Sequence, residues 1–220
     1  MTISIEEIKK RLDPTLKEYD EDRIVVTPIF NREDQFGRVE IDLRLGHQFI
    51  IFKEHFQGSL NPYRLAEYEG DIEKYQEEVV VKQGKPIVLH PGRFIVGSTL
   101  EYVALPRDIE AQVEGRSSWA RLGLTIATAT TVHPMFKGVI TLELSNNGTI
   151  PLELIPGIKI AQIIFHKVNP PLSDAELKNI KGKYQYSIGP GFSRVFKDAF
   201  LDYFCQPQDD DACSFNNNGT

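Results

Sequence analysis

Cysteine is scarce in this 220-residue sequence, and the two that it has, Cys205 and Cys213, lie in its last sixteen residues. A disulfide scaffold and a cysteine-rich zinc site are therefore not expected, because each needs spaced cysteines within the folded part of a chain. The sequence also lacks a run of about 18 apolar residues, the length that crosses a bilayer. Its first residues lack the basic and apolar blocks of a secretory signal. We expect a cytoplasmic protein without a membrane partner.

An excess of positive charge is also absent: 25 Lys and Arg residues stand against 31 Asp and Glu residues, a formal net charge of −6. Non-specific binding of nucleic acid depends on overall positive charge, so we expect no nucleic-acid partner. A local basic pocket for a small polyphosphate remains compatible with this composition. Apolar residues make up 41% of the chain, and a chain of this length can bury a core without disulfides or metals.

The pattern of apolar residues predicts a mainly β protein that begins with one short helix. Ser4 and Glu7 have the spacing of a capping box, and Pro14 ends the helix that they begin. Residues 39–45 alternate apolar and polar side chains, as a half-buried strand does. From Val79 to about Val168, short apolar runs are separated by Gly, Pro and Asn-Gly turns, a spacing typical of a β-sandwich or barrel.

Domain organisation follows from changes in composition along the chain. We predict one domain over residues 1–204, with a C-terminal arm that begins at about residue 181. Residues 57–78 contain Gly, Pro, Tyr and acidic residues and predict a long surface loop, and residues 173–178 predict a small helix or turn. Residues 205–220 are polar and are expected to form a disordered tail.

The first segment suited to chemistry is Glu114-Gly-Arg-Ser-Ser-Trp-Ala-Arg-Leu-Gly123. In it, Arg116, Ser117, Ser118 and Arg121 offer charged and hydroxyl donors that suit a phosphate or a polarised substrate. Alone the pattern is weak, because Ser and Arg in a loop more often cap turns than bind ligands.

The second such segment is the predicted strand from Gly138 to Asn146. Its alternation divides the side chains between two faces, with Ile140, Leu142 and Leu144 on one and Val139, Thr141 and Glu143 on the other. If the second face is solvated, Glu143 is ordinary surface. If that face lines a pocket, desolvation raises the pKa of Glu143 and makes it a usable general base.

Together these segments resemble the dCTP deaminases of the trimeric dUTPase superfamily. The resemblance rests on the Gly115–Gly123 block, on Gly138-Val-Ile-Thr-Leu-Glu143 and on Pro156-Gly-Ile-Lys-Ile-Ala-Gln162. Further similar segments are Val39–Gly46, Leu89–Gly92, Leu105–Ser118 and Gly182-Lys-Tyr-Gln185. Several separated motifs in the same order, over roughly residues 1–195, are far more specific than any one of them.

The resemblance implies a distorted, dUTPase-like β-barrel of the jelly-roll type, in a homotrimer whose active sites are shared between subunits. It also implies hydrolytic deamination of dCTP to dUTP and ammonia without a catalytic cofactor or metal. Mg²⁺ would accompany the nucleotide triphosphate as a charge partner. The cysteines agree with a metal-free reaction, since zinc deaminases need a Pro-Cys-x-x-Cys pair that is missing here.

Residue roles follow from the same resemblance. By motif position, Glu143 would be the general base and acid, while Ser117 and Arg121 would hold the nucleophilic water and orient Glu143. The other positions that resemble substrate contacts are Arg116, Ser118, Trp119, Ala120, His133, Thr141, Leu142, Lys183 and Ser187. Of these, Lys183 would close over the triphosphate. Trp119 is, as a single residue, more typical of packing than of stacking on a ligand.

Three features depart from the family pattern. One is the family's Tyr upstream of the arm Lys, which has no match in Ala175 or Glu176. His133 stands where the family usually has an Asp that meets the deoxyribose 3′-hydroxyl, and Ser187 stands where its arm usually has a Gln. A neutral imidazole can accept one hydrogen bond but is a poorer group than a carboxylate for positioning a water. We therefore expect dUTP as the end product. A bifunctional enzyme that forms dUMP, or a non-catalytic nucleotide-sensing or partner-binding module on the same fold, remains an alternative.

Overall fold

The computed structural model describes residues 1–20, 22–53, 75–127, 131–178 and 185–193. The chain divides into two compact units, one of Met1–Phe52 with Glu78–Gly191 and one of Lys53–Glu77 with Phe192–Thr220. Most of the predicted loop at 57–78, and all of the predicted tail at 205–220, lie outside the described residues. The end of that loop prediction is wrong, because Gln76–Val80 form a strand.

Helices in the described part of the chain are short. They are α1 (Ile5–Leu12), α2 (Arg32–Gln35), α3 (Ser117–Ala120) and α4 (Asp174–Lys178), with a 3₁₀ turn at Lys17–Tyr19. The predicted N-terminal cap is confirmed, since Ser4 Oγ accepts a hydrogen bond from the Glu7 N–H at 3.3 Å. The predicted small helix near residue 173 is confirmed as α4, and Ser173 Oγ accepts from the Glu176 N–H at 3.4 Å.

The strands pair into three sheets. They are β1 (Val25–Thr27), β2 (Glu40–Arg44), β3 (Gln48–Phe52), β4 (Gln76–Val80), β5 (Ile87–Leu89), β6 (Phe94–Ala104), β7 (Ile109–Gly115), β8 (Leu124–Ala127), β9 (Thr131–Val132), β10 (Lys137–Asn146), β11 (Leu152–Leu154) and β12 (Lys159–Lys167). One sheet has the order β4-β3-β6-β10-β8, with β1 also on β6; the second is β2-β12-β7-β9, and the third pairs β11 with β5. The predicted mainly β class is confirmed, with the described strands in separate sheets and no single closed ring among them.

A common hydrophobic core takes residues from all three sheets. Leu43 of β2, Leu142 of β10 and Leu154 of β11 are completely buried within it. The alternation predicted for the early strand is confirmed, because half-buried and buried residues alternate along β2. Burying one such side chain contributes about 1.5–3 kcal/mol. This burial therefore determines which face of each strand is turned to the core and which face is left to form a site.

A buried ion pair connects β2 to β6. Arg44 Nε lies 2.7 Å from Glu101 Oε1, and Glu101 is completely buried. The other Glu101 oxygen accepts the Arg44 backbone N–H at 2.8 Å, and Gln35 Nε2 donates to Oε1 at 3.1 Å. Arg44 Nη2 donates to the Pro28 carbonyl at 2.9 Å. Burial raises the pKa of Glu101 overall, although the hydrogen bonds from Arg44 act against that rise.

The long pairing of β6 with β10 contains one irregularity. The register shifts between Val139 and Thr141, so that β6 has extra residues opposite Ile140. Thr99 of β6 fills this bulge: its Oγ1 donates to the Glu101 carbonyl at 2.8 Å and accepts from the Ile140 N–H at 2.9 Å. Bulges of this kind bend the strand that carries the extra residues, which here is β6. The bulge therefore bends β6 where it passes Ile140 of β10.

Arg44→Met is expected to lower the free energy of unfolding by about 3–5 kcal/mol, because it leaves Glu101 buried without its counter-charge. Lys9→Met is the matched control, since Lys9 forms an exposed pair with Glu6 at 2.8 Å, and exposed pairs contribute roughly 0–1 kcal/mol. Denaturant unfolding at equal protein concentration measures both variants. Unfolding of Arg44→Met at the wild-type midpoint would contradict this assignment.

Candidate active site

Glu143 lies in the interior of a sheet, on the face of β10 that is turned away from the core. Its strand neighbours are Val96 of β6 and Ala127 of β8. On either side of it in sequence, Leu142 and Leu144 are completely buried, while Glu143 itself is partly exposed. The two-faced arrangement predicted for this strand is confirmed. Leu142 is one of the positions that resemble substrate contacts, but its side chain is buried in the core. Only its backbone N–H and carbonyl groups are left for such a contact.

The carboxyl group of Glu143 is partly desolvated and has no partner within the described residues. Burial raises its pKa above the ordinary value of 4.5. Hydrogen-bond donors and cations that contact it are absent from the described part of the chain. A carboxylate with a raised pKa and free lone pairs is suited to take a proton from water at neutral pH.

The predicted Arg-Ser-Ser loop is in fact one turn of helix, α3. The turn is closed by a backbone hydrogen bond in which the Arg121 N–H donates to the Ser117 carbonyl at 3.1 Å. Trp119 anchors the turn, because its Nε1 donates to the Lys159 carbonyl at 2.9 Å and its ring packs against the core. Trp119 is thus a packing residue, as expected. Ser117, Ser118, Ala120 and Arg121 are exposed at the surface of this chain.

Gly123 fixes the end of this turn against the connection that follows β10. Its φ is 92°, and a Cβ at this position would lie 2.5 Å from the backbone nitrogen of Gly148. Only glycine accepts both constraints without strain. The Asn147 N–H also donates to the Gly123 carbonyl at 2.8 Å. The block around Arg121 therefore has a defined position next to the end of the strand that carries Glu143.

Arg116 is paired with a carboxylate that lies outside all the sequence motifs of the site. Its Nη1 lies 2.5 Å from Asp42 Oδ2, and Lys159 Nζ lies 3.3 Å from the same oxygen. Lys159 Nζ is also 2.6 Å from Asp34 Oδ1. Gln162 is the cross-strand neighbour of Asp42. The only sequence signal for Asp42 was its place on the polar face of β2, which does not tell what it contacts.

His133 begins a tight turn between β9 and β10. The Phe136 N–H donates to the His133 carbonyl at 3.2 Å, and the imidazole is exposed. Met135 in this turn has a φ of 65°, a left-handed conformation that is uncommon for a residue other than glycine. The turn brings His133 near the start of the strand that carries Thr141 and Glu143.

The C-terminal segment that follows residue 184 docks on the beginning of β10. The Tyr186 N–H donates to the Lys137 carbonyl at 2.6 Å, and the Val139 N–H donates to the Ser187 carbonyl at 2.9 Å. Gln185 Oε1 accepts the Lys137 N–H at 3.0 Å. Ser187 therefore lies beside the start of the strand that carries Glu143. Lys183 lies outside the described residues.

The structure thus gathers the predicted site residues into two groups within one chain. Thr141, Glu143, His133 and Ser187 lie on or beside β10, and Arg116, Ser117, Ser118 and Arg121 lie on or beside α3. Hydrogen bonds or ion pairs between the Glu143 side chain and Ser117 or Arg121 are absent from the described residues. Those residues also contain no cluster of three or more metal-binding side chains, and none of their helices is long and apolar enough to cross a membrane.

Several named proteins are similar to this chain over most of its length. A protein of Dictyoglomus thermophilum named dCTP deaminase, dUMP-forming, is 38% identical over 210 residues, which are 95% of this chain and 100% of that protein. A protein of the same name from Methanosphaera stadtmanae is 41% identical over 189 residues, or 84% and 93% of the two chains. A protein of Haloarcula marismortui named dCTP deaminase is 38% identical over 181 residues, or 82% and 91%.

A solved structure and a family model agree with these relatives. The crystal structure of 2′-deoxycytidine 5′-triphosphate deaminase from Agrobacterium tumefaciens superimposes with a TM-score of 0.55 at 21% identity, covering 81% of this chain and 52% of that one. This chain thus spans about half the length of that protein, and the likeness supports the fold alone. The family model described as dCTP deaminase-like matches residues 11–168. With that match over most of its length, the chain belongs to the dCTP deaminase-like family, a family of enzymes, as its motifs predicted.

Proposed function

We propose that this protein catalyses the hydrolytic deamination of dCTP to dUTP and ammonia. The observation that carries the proposal is Glu143, an unpartnered carboxyl with a raised pKa on the segment that the family model matches. The names of the three relatives support dCTP as the substrate. A surface role for Glu143 would not require a partly desolvated position in the interior of a sheet.

The reaction has two proton transfers, and in each of them one group must take a proton from an oxygen and pass it to a nitrogen. The Glu143 carboxylate takes a proton from water as the water oxygen bonds to C4 of cytosine, and the C4–N3 π electrons move to N3. Glu143 delivers that proton to N3. It then moves the hydroxyl proton to the exocyclic nitrogen, the C4–N bond breaks, ammonia leaves and the C4 carbonyl of uracil forms. Ser117 and Arg121 hold the attacking water, and the cation also limits the rise of the Glu143 pKa.

The triphosphate is bound by the other group of site residues. Arg116 and the hydroxyls of Ser117 and Ser118 provide charge-assisted and neutral hydrogen bonds to phosphate oxygens, and Lys183 adds a cation from the arm. Mg²⁺ enters with the nucleotide as part of the substrate and balances its charge. His133 and Ser187, beside the strand of Glu143, contact the sugar and the arm side of the nucleotide.

We further propose that the active site forms between subunits of a homotrimer. Within one chain, Ser117 and Arg121 are exposed and make no contact with Glu143. Large apolar side chains near both groups are also exposed, including Leu122 at 59% and Ile150 at 70%. A closed cyclic assembly covers such surface and brings the α3 block of one subunit to β10 of the next.

Glu143→Gln is expected to lower dCTP turnover by about 10²-fold or more, because the amide cannot accept the proton from water. Glu153→Gln is the matched control, since Glu153 is exposed on β11. Chromatography of nucleotides after incubation with dCTP and Mg²⁺ measures both. Near-normal turnover by Glu143→Gln would refute its role, and an inert wild type would favour the non-catalytic nucleotide-binding alternative.

The same variant has an expected effect on stability that depends on pH. Burial raises the pKa of Glu143, so the folded state binds a proton more tightly than the unfolded chain, and stability falls as pH rises through that pKa. Glu143→Gln should therefore melt at a higher temperature than the wild type at pH 7. The difference should vanish below about pH 4, where the carboxyl is protonated in both states. A lower melting temperature at pH 7 would show that Glu143 is a structural group.

The main product from dCTP is expected to be dUTP, because His133 lacks the anionic oxygens that position a water for attack on phosphate. The second candidate, a bifunctional enzyme that continues to dUMP and pyrophosphate, is favoured by the names of two relatives. Incubation with dUTP alone separates the two candidates. Release of dUMP from dUTP would establish the bifunctional reaction and overturn the prediction.

Mixing two inactive variants tests the shared site. Glu143→Gln and Arg121→Ala chains are expected to be inactive alone, but mixed trimers contain sites that take an intact Glu143 from one subunit and an intact Arg121 from another. Random assortment at equal amounts restores roughly one quarter of the sites. Co-expression with two affinity tags, followed by dCTP assay and light scattering, measures this. Inactive mixed trimers, or a stable monomer, would rule out sites between subunits.

A further inference from the structure

Four alternating charges form a chain that runs from Arg116 through Asp42, in the middle of β2, to Lys159 and Asp34. Asp42 Oδ2 is shared by Arg116 Nη1 at 2.5 Å and Lys159 Nζ at 3.3 Å. Lys159 Nζ continues to Asp34, 2.6 Å from Oδ1. The shared carboxylate holds two cations of different elements close to each other. Two neighbouring cations are what a polyphosphate, with several charged oxygens, requires.

Arg116 keeps hydrogen-bonding capacity in this arrangement. Its Nη1 is buried and, although it contacts Asp42, it lacks a hydrogen-bond acceptor of suitable angle among the described residues. Asp42 thus holds this guanidinium group by charge and not by a well-directed hydrogen bond. An incoming phosphate oxygen would supply an acceptor for the buried donor.

The Lys159 ammonium contacts two groups of Asp34 and one of Asp42. Besides the two carboxylates, Lys159 Nζ donates to the Asp34 backbone carbonyl at 2.5 Å. Only the Asp34 carboxylate is easily replaced, since the Asp34 side chain is 65% exposed and an ion pair with so exposed a carboxylate contributes roughly 0–1 kcal/mol. A phosphate group carries more charge than this carboxylate and can take its place on the ammonium while the bond to the Asp34 carbonyl remains.

The backbone keeps Lys159 close to the α3 block independently of its side chain. Its carbonyl accepts the Trp119 indole N–H at 2.9 Å, and the Arg116 N–H donates to the Ile160 carbonyl at 3.1 Å. These bonds join the start of β12 to both ends of the segment that contains Ser117 and Ser118. Replacing only the Lys159 ammonium leaves them in place.

We propose that Lys159 is a second cation for the polyphosphate of the substrate, positioned beside Arg116 by Asp42, and that Asp34 competes with the polyphosphate for it. The proposal rests on the proposed function in so far as that function supplies a triphosphate. Asp42 is a positioning residue in this arrangement, because it acts through the two cations. Asp34 keeps Lys159 neutralised while the site is empty.

The test titrates inorganic tripolyphosphate into the assembled protein and measures its affinity by calorimetry. Lys159→Gln is expected to weaken binding about tenfold, the loss of one charge-assisted hydrogen bond, and Lys159→Arg to retain it. Lys167→Gln is the matched control, since it removes the same charge from the exposed end of the same strand, and its affinity should stay within about twofold of wild type. Asp34→Asn is expected to strengthen binding because it removes the competitor.

A second measurement separates contact with the polyphosphate from a general structural effect. With dCTP, Lys159→Gln should raise KM about as much as it weakens tripolyphosphate binding, while inhibition by deoxycytidine, which lacks phosphate, should be unchanged. Equal tripolyphosphate affinity in Lys159→Gln and Lys167→Gln would overturn the proposal. Weaker or unchanged binding of tripolyphosphate by Asp34→Asn would show that Asp34 does not compete with the polyphosphate for Lys159.

The two proposals fail separately in these experiments. If the wild type binds tripolyphosphate but does not deaminate dCTP, the proposed function is wrong, and the titration still decides the role of Lys159. If the wild type deaminates dCTP and Lys159→Gln behaves like Lys167→Gln, only the role of Lys159 is wrong. If the wild type does not bind tripolyphosphate, the role of Lys159 is also wrong.

Discussion

The placement of the candidate site depends on the pairing of β10 between β6 and β8. A strand in the interior of a sheet cannot rotate, because its backbone is hydrogen-bonded on both sides and its apolar side chains commit one face to the core. In β10 the apolar side chains that pack against the core are those of Ile140, Leu142 and Leu144. The opposite face is then determined for Thr141 and Glu143. A shift of one residue would bury Glu143 and expose Leu142, so the fold itself opposes loss of the site.

Two glutamates, one completely and one partly buried, have different surroundings in this fold. Glu101 and Glu143 are on neighbouring strands, and burial raises the pKa of both. Glu101 is surrounded by donors from Arg44 and Gln35, so its lone pairs are occupied and it acts as a link between strands. Glu143 has no such donors in the described residues. Desolvation without a partner costs stability, and a protein retains that cost where the free lone pairs serve a reaction.

Much of the fold could be predicted from local patterns. The cap at Ser4, the alternation in β2 and the two faces of β10 depend on residues that are close in sequence, so their period and spacing are visible without a structure. The α3 turn was not predicted, because four residues carry no detectable helical period. Its position is decided by Trp119 reaching Lys159, a contact forty positions along the chain. The family motifs indicate candidate site residues, but not the pairing of Arg116 with Asp42, which depends on the arrangement of distant strands.

The segment after residue 184 is attached to β10 by main-chain groups. Lys137, Val139, Tyr186 and Ser187 contribute carbonyls and N–H groups, and Gln185 is the residue whose side chain takes part. Backbone contacts do not depend on which side chain is present. The side chain at position 187 can therefore change without releasing the segment, and the path of the chain beside β10 stays the same. Position 186 is more restricted, because the φ of 61° at Tyr186 is a left-handed conformation that is uncommon for residues other than glycine.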